Sequence, residues 1–281
     1  MKIDQDLLSA LPYKPQIFRE KNLYGIGHPD LVPVLKRLAA EKDPDLLQEA
    51  RVIKDHPHLI LKTSLLPRED FAWPRQVLKQ FKWRGVQNYL ASPLKKSKAI
   101  KSYLAACHLL KHGLGTPMPL GAVEVRKWGF VQESFYITSL VESYIDLKKY
   151  RDTASRNHAD MHEVIEFLAH FILRMHDNGL LHRDLNLSNF LLTGKPGAYR
   201  IYLVDLNRAI FMDNPPPRLR SLDLARLDLY AWQQSFFHHY CQDRFEPHLM
   251  LWIASLARLN RSSWRKIAVP TKNLRRRIGI K

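Results

Sequence analysis

The sequence predicts an α+β protein of two lobes, a small strand-rich amino-terminal one and a larger helical carboxy-terminal one. Three observations carry that expectation. Short apolar or alternating runs separated by proline-containing turns fill residues 51–81, the pattern of strands. Met161, Val164, Ile165, Leu168, Phe171, Ile172 and Met175 recur at i, i+3, i+4, the stripe of an amphipathic helix. An apolar strand, Ile201 to Val204, then gives way to helical sequence from about Ser221. With 281 residues, 46% hydrophobic and 25% charged, the chain is long enough for one large domain or two small lobes sharing a cleft. That composition excludes disorder, collagen and coiled coil.

In chain order, residues 1–45 read as a helical extension, with Leu31, Val34, Leu35 and Leu38 at helical spacing and Asp43-Pro44 ending it. The strand-rich lobe is expected over 46–145, with strands at Arg51–Ile53, His58–Thr63 and Arg75–Phe81. A basic helix from about Ser97 to His112 follows, with Ile100, Leu104, Cys107 and Leu110 along one side and Gly113 placed to stop it. Strands at Ala122–Val125 and Phe130–Thr138 complete the lobe. The helical lobe, 146–281, is built on the Met161–Met175 helix closed by Asn178-Gly179, is interrupted by Pro215-Pro216-Pro217, and ends in a basic tail.

The formal charge of +17 is unevenly spread. Nine Lys/Arg and no acid lie between Phe71 and Val123, and nine more, again without an acid, between Pro247 and Lys281. Such segments favour a polyanionic partner. Met1-Lys2-Ile3-Asp4-Gln5-Asp6 is acidic where a signal peptide would be basic, and the apolar run Leu249–Ala257 is about half a membrane span, so a soluble, cytoplasmic protein is expected. Cys107 and Cys241 have neither CxxC spacing nor a cluster of histidines beside them and are expected to pack as small apolar residues.

Directly after the stripe helix stands Leu181-His182-Arg183-Asp184-Leu185-Asn186-Leu187-Ser188-Asn189, which contains H-R-D-L-x-x-x-N, the catalytic-loop signature of protein-kinase-like phosphotransferases. Sixteen residues past Asn189, the strand Ile201–Val204 ends in Asp205, where such an enzyme carries its metal-binding aspartate. Upstream, Val77-Leu78-Lys79 at a strand end matches V-A-I-K in form. Three signals in this order predict a bilobal protein-kinase-like fold. Phosphoryl transfer asks a protein to neutralise a triphosphate and align a hydroxyl, with little covalent help. Asp184 is the candidate to orient that hydroxyl and accept its proton. Asn189 and Asp205 are the candidate ligands of Mg²⁺, which prefers carboxylate, amide and phosphate oxygens, and Lys79 is the candidate cation for the phosphates of ATP.

Each has a plainer alternative. H-R-D also suits a polar turn after a helix, and a lysine on an edge strand is commonplace. His162, His170 and His176 read as surface or satisfied histidines, since no carboxylate or cysteine spacing near them suggests a metal. Trp73, Trp83 and Trp128, set in basic sequence, would stack on bases or headgroups or, more commonly, pack.

From Lys79 to about Leu227 the chain resembles the lipopolysaccharide core kinases, which phosphorylate Kdo or heptose in the inner core of Gram-negative endotoxin. The resemblance rests on Leu109-Leu110-Lys111-His112-Gly113-Leu114-Gly115-Thr116-Pro117-Met118-Pro119-Leu120-Gly121, the Glu133–Ile137 strand, the H-R-D-L loop, Val204-Asp205-Leu206-Asn207-Arg208, and Arg220-Ser221-Leu222-Asp223-Leu224-Ala225-Arg226-Leu227. It implies ATP with Mg²⁺ and a sugar acceptor on a lipid anchor at the cytoplasmic face of the inner membrane. Lipopolysaccharide core or another acidic glycolipid is then the expected partner, with an anionic membrane surface beside it and no nucleic acid.

The chain departs from protein kinases at four places. No G-x-G-x-x-G precedes the Lys79 strand, Gly25-Ile26-Gly27 lying too far upstream and without an expected strand pair. Leu206-Asn207 replaces Phe-Gly, and no A-P-E follows. The helix after Lys79 has Ser102 near the position of the usual glutamate and no acid anywhere from Phe71 to Val123, so Lys79 is held by phosphates alone, by an acid from elsewhere such as Glu124 or Glu133, or by nothing in an impaired enzyme. The alternatives to a lipopolysaccharide sugar kinase are accordingly a pseudokinase that binds nucleotide, and a kinase of the same fold acting on a protein or small molecule.

Overall fold

The computed structural model describes residues 5–40, 50–55, 58–66, 70–81, 96–153 and 158–259. Trp83, with the basic residues Lys82, Arg84 and Lys95, and the tail from Asn260 onward lie outside them. The chain divides into two compact units: Met1–Asp146 with Asn189–Ile210, and Leu147–Ser188 with Phe211–Lys281. Asn189–Ile210, expected within the helical lobe, thus belongs with the strand-rich one.

The first unit is built on a seven-stranded antiparallel sheet. Its elements are α1 (Gln5–Leu8), β1 (Gln16–Glu20), β2 (Leu23–Gly27), α2 (Val32–Ala40), β3 (Arg51–Lys54), β4 (Leu59–Thr63), β5 (Gln76–Phe81), α3 (Lys98–Lys111), β6 (Pro119–Lys127) and β7 (Phe130–Ser139). The strand order is β1-β2-β6-β7-β5-β4-β3. Successive residues of a strand face opposite ways, and here each face meets a helix. Leu78, Val123 and Phe135 pack with Leu35 and Leu38 of α2 on one face. Ala122, Tyr136 and Phe81 pack with Ile100, Tyr103 and Cys107 of α3 on the other. Lys79, between Leu78 and Phe81, therefore stands on the α3 face.

The expected helical extension is helical only in part. Val32–Ala40 carries the predicted Leu35 and Leu38, but Gln16–Gly27 forms a strand pair that extends the sheet beyond β6. Gly25-Ile26-Gly27 thus does have a strand partner, and its glycines serve packing. A Cβ on Gly25 would lie 2.3 Å from the Phe18 ring, and one on Gly27 would lie 2.9 Å from the Leu120 carbonyl. The hairpin that precedes the Lys79 strand is instead β3–β4, joined through residues 55–58, of which His56 and Pro57 lie outside the described residues.

Helix α3 starts where a side chain satisfies its first turn: the Ser97 hydroxyl accepts from the Ile100 N–H at 3.2 Å. A smaller sheet completes the unit, with β8 (Ile145–Asp146), β9 (Phe190–Thr193) and β10 (Arg200–Leu203) in the order β10-β9-β8.

The second unit is helical: α4 (Leu147–Thr153), α5 (His158–Asp177), α6 (Pro217–Leu224), α7 (Gln233–Cys241) and α8, residues 247–259. All seven residues of the predicted stripe on α5 are buried, as are Phe236, Phe237 and Tyr240 of α7 and Met250 and Ala254 of α8. Both cysteines are buried and unpaired, as expected. Burial pushes the Cys107 thiol up to about 12 and the Cys241 thiol up to about 11, so neither is a nucleophile near neutral pH.

Candidate active site

Lys79, Asn189 and Asp205 come together in the first unit. β9 and β10 pair with Phe190 opposite Leu203, and the Val204 N–H donates to the Asn189 carbonyl at 2.9 Å. That register sets Asn189 and Asp205 at one end of the same two-stranded ladder. Asp205 leaves the strand in the left-handed region, φ 63°, a conformation that short polar side chains tolerate best, and a short 3₁₀ turn, Leu206–Arg208, follows. The Lys79 ammonium meets the Asp205 carboxylate at 2.6 Å, and the Asn207 amide donates to the same carboxylate oxygen.

The pairing answers what holds a lysine whose neighbouring helix has no acid. Asp205 itself does, while Ser102 turns its hydroxyl back to the Lys98 carbonyl of α3 at 2.8 Å. Glu124, one of the acids suggested by the sequence, is committed elsewhere: one carboxylate oxygen accepts from the Ser97 N–H at 3.1 Å and the other from the Arg126 guanidinium at 2.6 Å. It serves the start of α3 and not Lys79.

The long motif before β6 fixes the strand that ends at Asp205. Gly115 passes so close to β10 that a Cβ there would lie 2.1 Å from the Ile201 carbonyl oxygen. The Leu203 N–H donates to the Gly115 carbonyl at 2.9 Å, and the Thr116 hydroxyl donates to the Leu203 carbonyl at 2.8 Å.

On the face of β5 that carries Lys79 there is also a cavity of about 550 Å³, lined by Arg51, Ile53 and Lys62 of the sheet, by Arg75 just before β5, and by Glu142 and Tyr144 of the segment after β7. This lies within the size range of small-molecule sites. Its charged lining is three cations, Arg51, Lys62 and Arg75, and one acid, with Arg75 paired to Glu142 at 3.2 Å.

Asp184 lies in the second unit, and its surroundings there are a buried polar network. His182 and Arg183 direct their backbone N–H groups at the Asp223 carboxylate, at 2.8 and 2.6 Å. Asp223 is also 3.2 Å from Nε2 of His176, whose Nδ1 is 2.6 Å from the Tyr240 hydroxyl. Both His176 and His182 are fully buried. Arg183 has φ 64°, so the loop turns sharply just before Asp184. The Asp184 carboxylate is ion-paired with the guanidinium of Arg226.

Asp223 and Arg226 belong to the motif Arg220–Leu227, but sequence reasoning assigned neither a role. The only signal was an acid amid apolar residues two helical turns after a proline run. From the same motif Arg220, buried to 1% exposure, donates to the Pro215 carbonyl at 2.7 Å and pairs with Asp177 at 2.7 Å, anchoring the proline-rich loop to the end of α5.

A carboxylate and an amide oxygen at one strand end, with a lysine at hand, fit a hard divalent ion bound to phosphates. In the second unit, Asp184 is a separate carboxylate on the turn described above.

Known proteins resemble this chain in part. The chain is 30% identical to the lipopolysaccharide core heptose(I) kinase WaaP of Pseudomonas aeruginosa over 148 residues, and 28% identical to that of Escherichia coli strain K12 over 149 residues. Each match covers 50% of this chain and 55% or 56% of the relative, so the chain spans about half the length of the curated relatives it matches. A solved structure, WaaP in complex with acyl carrier protein, superposes with a TM-score of 0.55 at 22% identity, covering 79% of this chain and 94% of that one. That likeness establishes the α+β, protein-kinase-like fold. Residues 76–243, more than half of the chain and the stretch holding every residue of the motifs above, match the lipopolysaccharide kinase (Kdo/WaaP) family, and to that family the chain belongs.

Proposed function

We propose that the chain transfers the γ-phosphoryl group of ATP to a sugar hydroxyl, of Kdo or heptose, in the lipopolysaccharide inner core. The observation that carries this reading is the convergence of Lys79, Asn189 and Asp205 at one strand end within the segment matched by the family. In it, Asp205 and the Asn189 amide would hold Mg²⁺, which would supply positive charge to neutralise the phosphates. Lys79, already oriented by Asp205, turns to the α/β-phosphates. The nucleotide base occupies the cavity beside Glu142 and Tyr144. Asp184, held by Arg226 on a turn fixed by Asp223, orients the acceptor hydroxyl and takes its proton.

The acceptor is a lipid, and α8 supports a position at the cytoplasmic face of the inner membrane. Leu249, Trp252, Leu256 and Leu259 form an exposed stripe along it, while Met250 and Ala254 face inward. The sequence from Pro247 to Lys281 is basic and free of acids. An apolar stripe with a tryptophan, continued by cations, suits an anionic bilayer surface. Among the described residues no helix is long and apolar enough to cross a membrane.

The test is ATP consumption with purified core lipid, wild type against Asp184→Ala. Turnover by the wild type and its loss in the variant support the reading, and equal turnover defeats it. Stabilisation by Mg-ATP without transfer to any core lipid would favour the nucleotide-binding pseudokinase, which the acid-free α3 invites.

A further inference from the structure

Glu166 and His170 stand four residues apart on α5, one turn apart on the same side of the helix. His239 comes from α7, which packs against α5 within the second unit. One ligand atom from each, a carboxylate oxygen and two imidazole nitrogens, lies within 4.8 Å of the other two. The two imidazole planes are inclined at 78° with their centroids 6.2 Å apart, so the rings do not stack on each other. Among the described residues no hydrogen bond or ion pair engages any of the three side chains.

We propose that Glu166, His170 and His239 form a binding site for a divalent transition-metal ion, zinc foremost, that clips α5 to α7. Two imidazoles and one carboxylate are a common zinc donor set, with water in a fourth position, whereas Mg²⁺ passes over imidazole for oxygen. Zinc–ligand bonds of about 2.0–2.2 Å in tetrahedral geometry place ligand atoms roughly 3.3 Å apart. The half-buried imidazoles supply the fixed side of the site. The exposed Glu166 carboxylate closes the remaining distance by changing rotamer. Spacing along the chain points to no metal at His170, because an acid and a histidine one helical turn apart are commonplace until a third ligand arrives from another helix.

The placement gives the clip a consequence. Six residues beyond His170 on α5 is His176, and next to His239 on α7 is Tyr240, and these two already join through the hydrogen bond that leads to Asp223 and the H-R-D turn. An ion at Glu166, His170 and His239 would hold the same helix pair at a second point. None of these three residues takes part in the proposed transfer, so the ion site stands or falls apart from the acceptor assigned above.

The experiment uses the full chain freed of metal with a chelator, then titrated with zinc in competition with a chromophoric indicator and with cobalt followed by its visible absorption. One ion per chain is expected, with a rise in Tm on binding. His170→Ala and His239→Ala should each weaken binding at least tenfold and abolish the Tm rise, Glu166→Gln should weaken it less, and His248→Ala and Asp205→Ala should leave it unchanged. Should either histidine variant start from a lowered Tm without metal, His239→Gln, which keeps the volume, serves in its place. The proposal is overturned by sub-stoichiometric zinc binding in the wild type, or by binding that survives loss of both His170 and His239.

Discussion

Asp205 and Asp184 are the two carboxylates of the proposed reaction, one in each unit, and they are held in opposite ways. Asp205 sits at the end of a strand secured by backbone, through the β9–β10 ladder and the Gly115–Leu203 bond, with Lys79 as its cation. Asp184 sits on a turn whose two preceding N–H groups are both taken by one buried side chain, Asp223, with Arg226 as its cation. Backbone ladders distribute support over many bonds, so no single side chain is decisive. A buried carboxylate with three partners concentrates it, since its removal takes the acceptor from two backbone N–H groups and from His176. The first unit should therefore tolerate side-chain loss around its acid, and the second should not.

The largest effects separate the two acids by function. Asp184→Ala is expected to cost on the order of 10²–10⁴-fold in kcat while keeping the Tm rise caused by Mg-ATP. Asp205→Ala should lose both turnover and that rise, read by thermal shift alongside the assay. Arg226→Ala should lower kcat by up to about 10²-fold by letting Asp184 wander, with the nucleotide response intact. A matching loss of nucleotide binding in Arg226→Ala would break this division of labour.

Stability tests the concentration of support directly. Asp223→Ala should cost about 2–4 kcal/mol in denaturant unfolding, whereas Ser97→Ala, which removes the cap of α3 in the first unit, should cost about 1 kcal/mol. Equal costs would show that the second unit spreads its load as the first does.

The smallest effect concerns pH. Burial raises the Asp177 carboxyl, but hydrogen bonds and charge from Arg244 and Arg220 outweigh it and hold the group below its ordinary 3.8. A depressed carboxylate contributes stability that is fully present above the ordinary value and is lost as pH falls below it. The Tm of the wild type should thus drop more steeply below about pH 4 than that of Asp177→Asn.

What was legible in the sequence was whatever repeats or is contiguous. The α5 stripe, the H-R-D-L loop and the strand ending in Asp205 each occupy one short stretch, and each formed as expected. The β1–β2 pair was not legible, because Gln16–Glu20 buries only Phe18 and so shows no alternation, while two glycines in β2 imitate a loop. The partner of Lys79 was invisible for a different reason. It is 126 residues away, and the nearer candidate, Glu124, is consumed by the start of α3. Asp223 likewise acts 40 residues from the turn it supports.

The seam between Gly115-Thr116 and β10 bears on regulation. A protein kinase with Phe-Gly after its metal aspartate has a glycine on which that segment can swing out of register and back. Here the strand before Asp205 is stitched to the loop that follows a buried helix, and the residue after it, Leu206, is itself sunk in the interior. With Asn207 where that glycine would stand, Asp205 has no such hinge beside it.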